Sequence, residues 1–146
     1  MDLDTLIAER EIAHAIYRFA RAMDERDWDA LDGVLLEEAS ADLGMGVVRG
    51  RAAIVRFIRS FLDDCGPTQH LIGNLIVDVD GERASSRCYV SDMHKGAGVK
   101  AHLTFSTLGE YHDTWARRDG KWWMMHRHKL NHAHLGSIEV LGPGPR

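Results

Sequence analysis

Four side chains in this sequence are of the right types for acid–base chemistry and fall where a fold could gather them: Asp24, His70, Asp92 and Arg127. His70 stands in Gly66-Pro-Thr-Gln-His70-Leu-Ile-Gly-Asn74, where a loop passes into an apolar, strand-like run. Imidazole titrates near neutral pH and acts as a general base when a carboxylate fixes its tautomer and balances its charge. Without such a partner, a lone histidine here reads as a core residue bonded to a backbone carbonyl. Asp24 is the candidate partner. It lies four residues beyond Ala20, on or near the apolar face of a helix and at its C-terminal end, where the macrodipole disfavours an acid.

Asp92 extends the alternating row Ala84, Ser86, Cys88, Val90. It either points into the cavity side of a sheet, where it must be bonded or paired, or reaches water from a frayed strand end. Arg127 lies in the last strand among Trp123, Met125 and Lys129, with His126 and His128 on the other face. Taken alone it reads as a surface arginine; turned inward, it could hold an anionic or carbonyl oxygen or a developing negative charge. Nine histidines are present, five of them between His112 and His134. His126, His128, His132 and His134 raise metal chelation, but no carboxylate or cysteine completes a familiar set, so no metal is expected. Cys88, between Ser86 and Val90, reads as a small buried hydrophobe rather than a nucleophile.

The elements that must position these residues follow from hydrophobic period. Ile12, Ile16, Phe19, Ala20 and Met23 predict an amphipathic helix over 4–23, capped by Asp4. A short helix follows, with Asp27 as N-cap and Trp28, Leu31, Val34 and Leu35 as its buried stripe. Residues 39–50 read as a hairpin broken by Gly44 and Gly46, and 51–63 as a third helix, before Pro67. From there the pattern is sheet: 70–79 up to the Asp80-Gly81 turn, 83–93, a long strand over 99–117, a turn at Asp119-Gly120, and a last strand over 121–131. A loose tail follows from about residue 137, ending in Gly142-Pro-Gly-Pro-Arg146. Helices segregated from antiparallel strands mean α+β: a curved antiparallel sheet over three N-terminal helices, enclosing a cone-like pocket.

Composition sets outer limits. At 146 residues, one domain is expected, with 45% hydrophobic and 27% charged residues. A formal net charge of −4 offers no basic footprint for nucleic acid. No apolar run approaches the roughly 18–20 residues of a spanning helix, and the acidic start Met1-Asp-Leu-Asp lacks a signal-peptide layout. Two cysteines without a CxxC pairing fit a reducing cytoplasm.

Several local motifs, spread over about residues 4–132, resemble the SnoaL-like branch of the nuclear-transport-factor-2-like superfamily, a cystatin-like α+β barrel. They are Tyr17-Arg-Phe-Ala-Arg-Ala-Met-Asp24-Glu-Arg-Asp-Trp28-Asp-Ala-Leu31, Gly50-Arg-Ala-Ala-Ile54, Gln69-His70 with Asn74, Gly109-Glu-Tyr111-His-Asp113, and Arg118-Asp-Gly-Lys-Trp122 leading to Arg127. The family's lyases, such as hexachlorocyclohexane dehydrochlorinase, scytalone dehydratase and bile-acid 7α-dehydratase, carry a His–Asp pair in their pocket. The resemblance places that pair on His70 and Asp24, the dehydrochlorinase's pocket arginine on Arg127, and a second aspartate near Asp92. Tyr17, Phe19, Trp28, Phe105, Trp122 and Asn74 are the expected substrate-binding residues. The tyrosine that assists some dehydratases has no clear match: Phe19 stands five residues before Asp24 and Tyr17 is offset.

The implied reaction is elimination without a cofactor from a small apolar, aromatic or polycyclic molecule. His70 would take the proton, and Arg127 or Asp92 would assist the leaving group or developing oxyanion. Three alternatives accompany it: a ketosteroid-isomerase-like or polyketide-cyclase-like enzyme, a non-catalytic small-ligand binder, and a structural protein like the dioxygenase β subunit. A homo-oligomer, dimer or trimer, is expected, because the open face of such a sheet needs covering.

Overall fold

Residues 1–145 are described by the structure, a computed structural model. Helix α1 runs Leu3–Glu25 and buries Ile12, Ile16, Phe19 and Met23, the stripe its period predicts. Its cap is Asp2, not Asp4: the Asp2 carboxylate accepts from the Thr5 amide at 2.8 Å, and Asp4 already lies inside the first turn. At the other end Arg26 adopts the left-handed conformation (φ 55°), and its amide closes onto the Ala22 and Met23 carbonyls. The expected short second helix is present as a 3₁₀ helix over Trp28–Gly33. The Asp27 side chain makes no capping bond, and Leu35 already opens a strand.

The strands are β1 (Leu35–Asp42), β2 (Val47–Arg49), β3 (Thr68–Asp80), β4 (Arg83–Lys95), β5 (Thr104–Arg118) and β6 (Lys121–Gly136); α2 (Arg51–Leu62) lies between β2 and β3. They form one curved, non-closed sheet in the order β2-β1-β6-β5-β4-β3. Every neighbouring pair is antiparallel except β1 and β6, which run parallel, so the expected all-antiparallel sheet is corrected at that seam. β5 begins at Thr104 rather than near residue 99, because Gly98 takes φ 58° and starts a 3₁₀ turn. β6 runs five residues beyond Asn131, paired with β5 as far as Phe105↔Gly136. The expected loose tail is instead tied down: Val140 is buried, and the Gly142 and Gly144 amides donate to Phe61 and Ser60 of α2. Among the described residues no helix is long and apolar enough to cross a membrane.

Burial alternates strictly along β4, so Ala84, Ser86, Cys88, Val90, Asp92 and His94 all face the helices. β5 presents Phe105, Thr107, Gly109, Tyr111, Asp113 and Trp115 on the same side. Two bulges in β6 alter its parity. Trp115 pairs with Met124 but Thr114 with His126, leaving Met125 extra; Leu108 pairs with Ala133 but Gly109 with Asn131, leaving His132 extra. One inserted residue moves all those beyond it to the opposite face. Trp122 and Met124 therefore share the inner side with Arg127, and Trp123 and Met125 do not share Arg127's row as simple alternation predicts. A third bulge, in β3 between Gly73 and Ile76, contains Asn74 at φ 52°.

The inner face grades from apolar to polar. Ala84, Trp115, Met124 and Leu35 lie side by side at the closed end, buried against α1 and the 3₁₀ turn. Four inward-facing rungs further, His70, Asp92, Thr107 and His134 form a single lateral row across β3, β4, β5 and β6. The outer face carries exposed apolar side chains on adjacent strands: Leu71 and Ile76 of β3, Tyr89 and Met93 of β4, and Leu108 of β5.

Candidate active site

Between the inner face of the sheet and the helices lies a cavity of about 410 Å³, a volume suited to a small molecule. Phe19 and Met23 of α1, Phe57 and Phe61 of α2, and Ile138 and Leu141 of the tail supply apolar wall. His70, His94, Thr107, Tyr111, Arg127 and Lys129 supply the polar groups.

The structure brings Asp24 and His70 into direct contact. His70 Nδ1 lies 2.7 Å from Asp24 Oδ1, and the His70 amide donates to Oδ2 at 3.0 Å. Thr68 adds a third donor, to Oδ1 at 3.0 Å. Arg26 ties the assembly to its loop by donating to Thr68 Oγ1 and to the Met23, Leu62 and Gly66 carbonyls. Burial alone would raise the Asp24 pKa, but the two bonds from His70, the imidazole's charge and Thr68 outweigh it and hold the carboxyl below its usual value. An ionised carboxylate only accepts, so the Nδ1 position of His70 carries the proton and Nε2 keeps its lone pair for the cavity.

Asp92 faces inward and accepts three hydrogen bonds. Its Oδ1 accepts from the Thr107 amide at 2.7 Å, and its Oδ2 from the Thr107 hydroxyl at 2.6 Å and Lys129 Nζ at 3.2 Å. Burial pushes its pKa up, but the Lys129 ammonium and the Thr107 donors win and hold it low. Asp92 thereby holds Lys129 in place at the cavity wall. Beside it, His94 stands edge-on to His70, the ring centroids 5.4 Å apart and the planes at 88°. His94 Nδ1 donates to the Phe105 carbonyl at 3.0 Å. Burial lowers the His94 pKa, and the nearby His70 and Lys129 lower it further against the pull of Asp92 and Phe105.

Arg127 is buried, with its guanidinium between the rings of Tyr111 (3.7 Å) and Phe19 (4.3 Å). Asp113 takes Nε at 2.8 Å and Nη2 at 2.9 Å in a bidentate pair. Nη1 has no hydrogen-bond partner among the described residues.

The expected substrate-binding residues divide. Phe19 and Phe105 line the cavity; the other four do not. Tyr17 sits one position off the buried stripe of α1 and is 46% exposed. Trp28 turns away to donate to Asp63 at 3.0 Å, fastening the 3₁₀ turn to α2. Trp122 is packed in the apolar core near the closed end of the sheet. Asn74 is the left-handed residue of the β3 bulge, exposed on the surface, a role asparagine fills because its short polar side chain tolerates positive φ.

Alternation missed His94, Thr107, Tyr111, Asp113 and Lys129, although the signal existed for most. One more step along the Ala84-to-Asp92 row gives His94, and the Phe105 row continued gives Thr107, Tyr111 and Asp113. Donor atoms of His70, Asp92 and His94 lie within 4.8 Å of one another, the spacing a metal ion needs. Lys129 already bonds Asp92 at this cluster, and of the histidines from His126 to His134, which raise chelation without a completing ligand, His126 bonds Ser40 and His132 bonds Glu110.

A family model for a SnoaL-like domain matches residues 4–128. An uncharacterized protein of Mycobacterium tuberculosis is 30% identical over 119 residues, 80% of each chain. Among solved structures, a candidate aromatic ring hydroxylase of Novosphingobium aromaticivorans superposes with a TM-score of 0.80 at 24% identity, over 90% of this chain and 94% of that one. A hexachlorocyclohexane dehydrochlorinase of Novosphingobium barchaimii gives 0.82 at 18% over 94% of each. A candidate scytalone dehydratase of N. aromaticivorans gives 0.74 at 21% over 90% and 88%. At these identities the structural likeness carries the fold, and the matched family model carries the membership: this chain belongs to the SnoaL-like family, with the nuclear-transport-factor-2-like fold.

Proposed function

We propose that the protein is a cofactor-independent lyase that eliminates water or hydrogen halide from a small apolar or aromatic molecule bound in the cavity. The observation that carries this reading is the 2.7 Å contact between Asp24 and His70, at the wall of a mostly apolar chamber. His70 Nε2 takes a proton from the carbon next to an activating group, and Asp24 holds the ring and balances the imidazolium that forms. Electrons of the broken C–H bond become the new double bond as the leaving group departs. A departing hydroxide recovers the proton from His70 and leaves as water; with a halide, the proton passes to solvent. Lys129, held by Asp92, and the free edge of Arg127 are the cationic groups near the developing charge. In this reading Asp92 assists through Lys129, which it holds at 3.2 Å.

A second imidazole beside the first favours one other reading, an isomerase that returns the proton to a different carbon. The test is to incubate the protein with 3-hydroxy-1-tetralone and follow 1-naphthol by fluorescence and all products by NMR. Water loss that disappears in His70→Ala supports elimination; conversion of 3-cyclohexen-1-one, which has no leaving group, to the conjugated 2-cyclohexen-1-one in a parallel incubation supports isomerisation. Full turnover by His70→Ala ends the general-base reading altogether. We also propose a homo-oligomer through the outer-face residues Leu71, Tyr89 and Leu108. Light scattering on the wild type and on a Leu71→Lys/Leu108→Lys variant tests it, and a monomeric wild type overturns it.

A further inference from the structure

Two permanent cations line the cavity, Arg127 and Lys129. By sign alone they would recruit an anionic ligand, a carboxylate above all. Behind each, however, stands a buried carboxylate: Asp113 on Arg127 at 2.8 and 2.9 Å, and Asp92 on Lys129 at 3.2 Å. The wall therefore offers hydrogen-bond donors with little net charge. The guanidinium is engaged along the edge formed by Nε and Nη2, and Nη1 remains buried with no partner among the described residues. A buried donor without an acceptor is costly, and in a cavity wall it calls for an oxygen brought by a ligand. Tyr111, stacked on the same guanidinium, lines the cavity with its hydroxyl unbonded among the described residues, and burial raises its pKa so that it stays a neutral donor.

We propose that Asp113 sets the class of ligand: by neutralising Arg127 it makes the guanidinium a donor to an uncharged acceptor oxygen, so that the cavity selects neutral ketones or phenols and turns away carboxylates. A carboxylate entering this wall gives up its hydration and meets cations already paired, whereas a ketone satisfies Nη1 and leaves no charge uncompensated. This rests on the proposed function only in taking the cavity as the substrate site.

The experiment is calorimetry with three probes of one shape: 2-acetonaphthone, 2-ethylnaphthalene, which lacks the acceptor, and 2-naphthoate, which carries the charge. The wild type is expected to bind the ketone about ten-fold more tightly than either of the others. In Asp113→Asn the freed positive charge should improve naphthoate at least about ten-fold and leave the ketone within a few-fold. Tyr111→Phe should weaken the ketone several-fold and leave ethylnaphthalene alone. The proposal falls if the wild type binds naphthoate as well as the ketone, if ethylnaphthalene matches the ketone, or if none of the three binds; these outcomes need no variant to fold. It falls too if a folded Asp113→Asn keeps the wild-type ranking. The same titrations on His70→Ala separate the two claims. Turnover surviving in that variant removes the elimination reading and leaves the ranking standing, while a lost ranking removes the role of Asp113 and leaves elimination standing.

Discussion

Two buried imidazoles face one cavity with ring centroids 5.4 Å apart, and the group at Nδ1 separates their chemistry. His70 gives its Nδ1 proton to the Asp24 carboxylate, a partner that gains when the ring becomes positive. His94 gives its Nδ1 proton to the Phe105 carbonyl, a neutral acceptor, and has the Lys129 cation nearby. One ring is equipped to hold a proton it has taken; the other is held neutral and presents a lone pair. Position along the sheet does not distinguish them, since His94 is one register step from the His70–Asp92 pair. The difference lies in a contact from outside the sheet, where the end of α1 delivers Asp24 against the acid-disfavouring pole of its own helix dipole.

The largest effect comes from making the two histidines alike. Asp24→Asn keeps the size of the partner but replaces the ion with a neutral amide, so His70 acquires the electrostatics of His94. Turnover of 3-hydroxy-1-tetralone should fall by roughly 10²–10⁴, the range of a general base, and His70→Ala should fall at least as far. His94→Asn, tested in parallel, should cost less than about ten-fold, because a ring held neutral at its carbonyl does not carry the abstracted proton. Equal losses in Asp24→Asn and His94→Asn would contradict the division of labour.

A second break acts on the neutral ring. Lys129→Met removes the ammonium that helps keep His94 uncharged and leaves the buried Asp92 carboxylate with Thr107 alone. Opening a buried ion pair costs about 3–5 kcal/mol, and the two Thr107 donors keep this case near the lower figure. Chemical denaturation reads that loss, and an NMR titration of the His94 ring should show its pKa moving up. A His94 pKa unchanged by the substitution would mean that burial alone keeps the ring neutral.

The same contrast appears in how acid unfolds the protein. His94 has a folded-state pKa below its unfolded value of about 6.5, so between the two the unfolded chain binds more protons and stability rises with pH. Its contribution is complete above about pH 6.5 and is lost as pH falls toward the folded pKa. Asp24 and Asp92, depressed in the fold, stabilise it above the ordinary carboxylate range near 4 and lose that only at lower pH. Two phases of acid destabilisation are therefore expected, and His94→Asn should erase the upper one. A wild-type curve flat from pH 7 down to 5 would rule out the neutral, buried His94.

Much of this was legible in the residues. Helix period placed α1 and α2, two-residue alternation turned Asp92 inward, and the motif around Gln69-His70 named the ring that meets Asp24. Pair contacts across sequence are what alternation cannot reach. His94 falls outside a strand expected to stop at Met93, although β4 continues to Lys95 because the Gly66 amide and the Pro67 carbonyl pair with Lys95. The face of Arg127 depends on the extra residue Met125, and a bulge has no marker in the run Trp122-Trp123-Met124-Met125. Tyr17 and Phe19 differ by two positions on α1, about 200° around a helix of 3.6 residues per turn, and only the second reaches the cavity. The family motif with Gln69 and His70 makes Asn74 an expected substrate-binding residue; its φ of 52° suits it to the turn of the backbone.

The mildest perturbation sharpens what Asp24 itself requires. Its carboxylate accepts three bonds: two from His70, through ring and amide, and one from the Thr68 hydroxyl. Thr68→Val preserves shape and strand preference and removes only the last. The two His70 bonds fix both carboxylate oxygens, so the ring should stay in place while Asp24 becomes slightly easier to protonate. A cost of about 1 kcal/mol in stability and a rate loss of no more than about five-fold are expected, with the acid limb of the pH–rate profile moved upward. Arg26 also loses its bond to the Thr68 hydroxyl, but its four carbonyl contacts at Met23, Asp24, Leu62 and Gly66 remain to hold the end of α1 against the loop. Should Thr68→Val instead match Asp24→Asn in rate, the hydroxyl rather than the His70 amide would be what orients the carboxylate, and the pair would have to be treated as a triad of Thr68, Asp24 and His70.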